Sequence, residues 1–195
     1  MTPIGTVVHL QIQTSSLKKG VRPLRVYDPS PLLPVPRLRL APEGAVGLAE
    51  DGSEHPDVHH AAHPHTKRAR GREVSFGFTS HYGSMRERYG EKIHPGCAGE
   101  NVLLETGRAW RLDDFAAGLA LRSARTGALV RLAEVTVAAP CVEFSRFSLG
   151  DRHASSRELK PVLQFLDHGM RGFCCTPSAE GIVEIGDTLV TLDEP

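Results

Sequence analysis

The chain has 195 residues, 40% hydrophobic and 24% charged, which suits one medium-sized globular domain and argues against wholesale disorder. Lysine plus arginine balance aspartate plus glutamate at 23 each, so no net positive field draws a nucleic-acid backbone or an anionic membrane. No apolar run is long enough for a transmembrane helix, and "MTPIGTVVHLQIQ" has no basic region ahead of its apolar stretch, so the expectation is a cytoplasmic protein without a signal peptide.

The first element is "IGTVVHLQIQ" (Ile4 to Gln13), β-branched and alternating as a half-buried strand does. A proline-rich stretch, Pro29 to Pro36, reads as loop or edge, and "RLRLA" (Arg37 to Ala41) alternates again. From about Pro42 to Arg72 the pattern dissolves into glycine, histidine and charge, which predicts a long loop over 42–72; loops of that length are commonly functional or disordered. "SFGF" predicts a short strand and "SHYGSMRERYG" a helix capped by Ser80 and stopped by Gly90.

"ENVLLET" (Glu100 to Thr106) and "LALRS" (Leu119 to Ser123) predict strands on either side of a loop holding Trp110, and "ALVRLAEVTVA" (Ala128 to Ala138) is the clearest strand signal in the chain. "SSRELKPVLQFLDHG" predicts a helix, with Ser155 and Glu158 at capping-box spacing, Pro161 near its start and Gly169 at its end. The tail reads as short strands joined by glycine turns. Strands outnumber helices without regular βαβ alternation, so the fold class expected is mainly β with a few helices, a closed or nearly closed β-barrel spanning 1–195 as a single domain.

Four cysteines occur, and without an export signal they are read as free thiols. Cys174 and Cys175 are adjacent on a predicted strand and so face opposite ways, which suits structural roles. Cys141 follows Pro140 where a strand gives out. Its apolar neighbours Val142, Phe144 and Phe147 suit a small buried residue, whereas Glu143, Ser145 and Arg146 suit a thiol held out for chemistry. Both readings stand on the residues alone.

Two further stretches carry chemistry-bearing residues. In "HPGCAGEN" the glycines let the backbone turn sharply and approach a ligand, with Gly99, Glu100 and Asn101 at the entrance to a strand; a plain tight turn fits the same residues. "EHPDVHHAAHPHTKRARGR" holds imidazole donors for a divalent metal, His59, His60 and His63 foremost, and then Lys67, Arg68, Arg70 and Arg72, suited to phosphate or carboxylate. A solvated polar loop is the plain alternative.

Taken in order, "GCAGENVLLETG", "APCVEF", "RGF" and "GIVEIGDTL" resemble the MOSC domain, the module named for the C-terminal region of molybdenum cofactor sulfurases. The likeness runs from about Val7 to Leu192. It matches a Gly–Glu–Asn segment at Gly99, Glu100 and Asn101, a cysteine after a strand at Cys141, and a closing pattern at Gly181, Ile182, Gly186 and Asp187. The region where many members show a compact Gly–Asp–x–His is here the expanded "GLAEDGSEHPDVHHAAHP".

The resemblance implies a barrel that binds molybdenum cofactor, with Cys141 as thiolate ligand to molybdenum and Gly99, Glu100, Asn101, Lys67, Arg70 and Arg171 around the pterin and its phosphate. It implies a small oxidoreductase that reduces N-hydroxylated small molecules with electrons from a separate donor protein. The alternatives are a persulfide or cofactor carrier that uses Cys141 with a sulfur donor or acceptor protein, and a divalent-metal module built on the histidine loop.

Overall fold

The structure is a computed structural model that describes residues 1–192. In chain order, β1 (Thr2–Gln13) is followed by the small strands β2 (Lys18–Lys19), β3 (Val26–Tyr27) and β4 (Leu32–Pro34). Next come β5 (Arg37–Ala41), β6 (Gly44–Leu48), β7 (Glu54–Pro56), β8 (Val74–Phe78) and helix α1 (Thr79–Tyr89). After β9 (Val102–Glu105) and a 3-10 turn at Leu112–Phe115 come β10 (Leu119–Arg122) and β11 (Leu129–Val137). Helices α2 (Val142–Leu149) and α3 (Ser156–Leu166) precede β12 (Phe173–Pro177), β13 (Gly181–Glu184) and β14 (Thr188–Thr191).

Seven strands close a barrel in the order β1, β14, β10, β11, β12, β8, β9 and back to β1. Closure depends on the length of β1. Its first half pairs with β14, its middle with β9, and its end with β4, so one strand joins both edges of the sheet. Closing the sheet leaves no open edge to template aggregation. The barrel interior is filled by alternate residues of these strands, including Val7, Leu10, Phe76, Phe78, Leu104, Leu119, Leu121, Phe173 and Leu189. A second sheet, β13-β5-β6-β7, packs Leu38, Leu40, Ala45 and Val183 into the same core.

One connection was not visible in the sequence pattern. Strands β8 and β9 are parallel and joined through α1, so they form a βαβ unit. Its helix is not capped by Ser80: Phe78 occupies the cap position, and the Ser80 hydroxyl lies inside the helix, donating to the carbonyl of Arg108. The expected loop over 42–72 also shrinks, because β6 and β7 fall inside it. Strands this short give no clear alternating signal, and pairing is what makes them strands: β6 pairs with β5, and β7 pairs with β6.

The three helices cover one side of the barrel through a second apolar cluster in which Tyr82, Met85, Ile93 and Leu103 meet Phe144, Val162 and Leu166. Helix α3 starts with the expected capping box: Ser155 Oγ accepts from the Glu158 N–H, and Glu158 Oε2 accepts from the Ser155 N–H at 2.8 Å. It ends at Asp167, two residues ahead of Gly169. Helix α2 was not legible as a helix. Cys141 is its cap residue, so the strand that gives out at Pro140 turns directly into a helix, and Glu143, Phe144 and Ser145 are buried by it. Among the described residues no helix is long and apolar enough to cross a membrane.

Candidate functional site

A cavity of about 390 Å³ opens where β1 and β11 end and where β8, β9 and β12 begin. That is within the range of small-molecule sites, roughly 300–1,000 Å³. Its lining includes five cationic side chains (Lys18, Arg25, Lys67, Arg72 and Arg171) against one carboxyl, Glu100. A neutral chain thus concentrates positive charge in one concavity, which favours an anionic occupant.

Cys141 lines this cavity and is partly buried, packed beside Phe144 and Phe147. Arg171 organises its surroundings. One guanidinium nitrogen, Nη1, donates to the Ala139 carbonyl at 3.2 Å and lies 3.7 Å from Cys141 Sγ, while Nη2 donates to the Ala98 carbonyl at 3.3 Å. One side chain therefore ties the "GCAGEN" turn to the "APC" turn and places a positive charge beside the sulfur. Backbone approach brings it there: Gly172 has φ +103°, and a Cβ on it would lie 2.6 Å from the Phe76 carbonyl oxygen. A larger residue would push Arg171 out of position.

The other cysteines are chemically quieter. Cys97 and Cys175 are fully buried, and burial pushes the Cys97 thiol up to about 12 and the Cys175 thiol upward. Cys174 also lines the cavity, and burial raises its thiol against the lowering pull of Arg72 and Arg171. All four are free thiols, as expected.

Glu100 is the unusual acid. It is 4% exposed, and burial lifts it to about 7 against the opposing pull of its own backbone N–H, the Tyr82 hydroxyl and the Arg171 charge. Its Oε2 accepts from the Tyr82 hydroxyl at 2.8 Å, and its Oε1 has no hydrogen-bond partner. Gly99, the residue before it, holds φ +91° where a Cβ would come within 2.6 Å of Leu17 Cδ1, so this turn admits the chain only as glycine.

The histidine segment reaches the cavity near both of its ends but not through its middle. His59 and Lys67 line it; His60, His63 and Arg70 do not. Arg70 instead forms an ion pair with Glu134 at 2.7 Å on another face. The His63 Nε2 lies 3.2 Å from the Thr14 carbonyl oxygen, and the His60 Nδ1 accepts from the Ala62 N–H, so these rings serve local turns. Among the described residues no three His, Cys, Asp or Glu side chains are grouped to hold a metal ion.

Asn101, expected at the ligand, is instead a buried staple outside the lining. Its Oδ1 accepts from the Ser75 N–H, and its Nδ2 donates to Asp57 Oδ2 at 3.0 Å. Asp57, fully buried, also accepts from the Gln13 N–H, the His59 N–H and, at 2.8 Å, the His59 ring. This carboxylate pins the start of the histidine segment to β1 and so brings His59 to the cavity wall.

Several lining residues gave no signal in the sequence. Lys18 and Arg25 come from the β2–β3 hairpin and share the carboxylate of Glu143, 118 residues from Arg25. Burial opposes ionisation of Glu143, but its own helix N–H and Arg25, with the charge of Lys18, hold it below the usual carboxylate range. Tyr27 closes this wall, its hydroxyl donating to the Cys97 carbonyl at 2.8 Å. Lys67 and Arg72 differ from Lys18 and Arg25, having no ion-pair partner among the described residues.

No protein-family model matches the chain, and no curated protein matches it in sequence. Solved structures do share its fold. The YuaD protein from Bacillus subtilis superposes over 95% of this chain and 93% of its own, with a TM-score of 0.59 at 14% identity. YiiM from Geobacillus stearothermophilus, a MOSC-domain protein, superposes over 98% of this chain and 75% of its own, with a TM-score of 0.50 at 18% identity. YiiM from Escherichia coli covers 82% and 65%, with a TM-score of 0.50 at 16% identity. The fold is a MOSC-like β-barrel.

Proposed function

We propose that this is a MOSC-family protein whose cavity holds a molybdenum cofactor, and that it acts as a small oxidoreductase on N-hydroxylated substrates. One observation carries the reading: a partly buried thiol, Cys141, opens into an electropositive cavity with a guanidinium 3.7 Å from its sulfur. A thiolate is the protein donor that suits a soft metal centre. The residues present fit the rest of such a group. Lys67 and Arg72 are cations without a partner among the described residues, suited to a terminal phosphate, and Arg171 Nε is buried without a hydrogen-bond partner.

Cys141 would ligate the metal, Arg171 would hold the sulfur's charge and orientation, and the Gly99 turn would let the ligand approach the backbone. When bound, the cofactor supplies the two-electron oxygen-atom chemistry. The electrons come from a separate donor protein.

The test is Cys141→Ser in protein purified without a histidine tag, assayed for molybdenum, pterin and reduction of an N-hydroxylated substrate with an artificial donor. Serine is close to cysteine in size, and an unpaired new hydroxyl costs about 1–3 kcal/mol, so the variant should still melt cooperatively. Its molybdenum content and activity should fall at least about tenfold, because a neutral hydroxyl is a poor ligand for a soft metal. Full loading and activity in Cys141→Ser would refute the thiolate-ligand reading. A persulfide on Cys141 with no molybdenum in the unmutated protein would replace it with the sulfur-carrier reading.

A further inference from the structure

The Asp57 carboxylate fixes which nitrogen of His59 is left open. The Gln13 N–H, the His59 N–H and the Asn101 Nδ2 can only donate, and all three point at its two oxygens. Those oxygens therefore act as acceptors, and the fourth contact, 2.8 Å from the His59 ring, assigns the ring proton to Nδ1. Nε2 is the free end. It has no hydrogen-bond partner among the described residues and is not sealed from water, on a side chain 29% exposed that lines the cavity. The wall that carries it is tied on both sides of the ring, because the Val58 N–H donates to the Gln13 carbonyl and the Val58 carbonyl accepts from the Lys67 N–H.

No other group in the lining is as well placed to exchange a proton near neutral pH. Lysine and arginine keep their protons there, so the five cations of the cavity serve to attract anions. Burial pushes Tyr27 and Cys174 away from ionisation. Glu100 has its unpartnered oxygen sealed from water, and Cys141 is the metal's ligand in the reading above. Imidazole is the side chain that suits proton transfer at neutral pH. A carboxylate behind its Nδ1 orients such a ring and faces the positive charge that it gains.

We propose that His59, oriented by Asp57, is the proton donor of this cavity, delivering a proton from Nε2 to the oxygen that departs when an N–O bond is reduced. This rests on the reductive reading above. In balance, R–NH–OH takes two electrons and two protons to give R–NH2 and water. The N–O bond breaks, and nitrogen is reduced. His59 Nε2 takes a proton from solvent and passes it to the leaving hydroxyl, making water, and the ring returns to its neutral form with the proton on Nδ1. The second proton reaches nitrogen from solvent. The electrons come from a separate reduced electron-transfer protein, or from a reduced viologen dye in the assay.

Two measurements test it together. NMR of protein labelled with nitrogen-15 in its histidines and freed of cofactor should show a neutral His59 ring protonated on Nδ1, identified by its absence in His59→Gln. A neutral His59 ring protonated on Nε2 overturns the proposal, whatever the protein reduces. In the viologen assay, His59→Gln should keep its molybdenum content and KM and lower kcat by on the order of 100-fold, because an amide has no proton to pass on. His59→Ala should fall as far and regain part of its rate when imidazole is added, which a structural loss would not allow. An unaltered kcat in His59→Gln, a loss of its molybdenum, or a rate in His59→Ala that imidazole leaves unchanged overturns the role of His59 alone. No reduction by the unmutated protein overturns the reaction itself, and with it this role.

Discussion

Glu100 should make the protein less stable as pH rises through the neutral range, in a way that Glu100→Gln abolishes. Below about pH 4.5 the carboxyl is protonated in both folded and unfolded chains and contributes no difference. Between 4.5 and about 7 the unfolded chain ionises while the buried folded group does not. The folded state then binds more protons, so stability falls by about 1.4 kcal/mol per pH unit. Above about 7 both states are ionised and the loss levels off, at about 3 kcal/mol in all. Such a loss is a large share of the roughly 5–15 kcal/mol that stabilises a domain. The buried ring of His81, whose charged form burial disfavours, works in the opposite direction, gaining stability as pH rises. The difference between unmutated protein and Glu100→Gln removes it, because both carry His81. Urea unfolding at about pH 5, 6, 7 and 8, with midpoints converted through a common slope, measures that difference. The gap should change by about 2–3 kcal/mol across the series in favour of the variant at high pH. A gap that stays constant would show that Glu100 ionises in the folded protein as it does in water, and the case for a buried proton would fall.

Brief alkylation near neutral pH, followed by peptide mapping, should label Cys141 ahead of the other three cysteines: Cys97 and Cys175 are fully buried, and burial raises Cys174 as well. First labelling at Cys174 would contradict the placement of the accessible sulfur. Gly99→Ala should lower stability by about 1–2 kcal/mol from its left-handed backbone alone, and it should also displace Leu17 from the cavity wall, since a Cβ there would lie 2.6 Å from that side chain. Urea denaturation reads the loss, and an unchanged midpoint would mean that the turn can open without cost.

The sequence determined by itself what local periodicity and local chemistry can encode. The alternation in β5 and β11 identified those strands because each buries one face, and the period of two survives in the residues. The capping box of Ser155 and Glu158 located α3 because its partners lie three residues apart. The position of Cys141 after Pro140 placed that thiol where a strand ends, and the order of the short motifs pointed to a MOSC-like barrel.

Tertiary structure decided the rest, and the reason is contact order. Strand β6 exists because β5 pairs with it and β7 because β6 does, and α2 is only eight residues long, too short for its pattern to declare itself. In the sequence Asp57 is one carboxyl in a stretch rich in histidine. Only folding brings it under Gln13 and Asn101, where it becomes an anchor. Arg70 and Lys67 stand three residues apart in one basic run, yet one pairs with Glu134 and the other lines the cavity. The unpartnered oxygen of Glu100 likewise depends on which groups the barrel brings within 3 Å of it, and segments far apart in the chain meet there only once the barrel has closed.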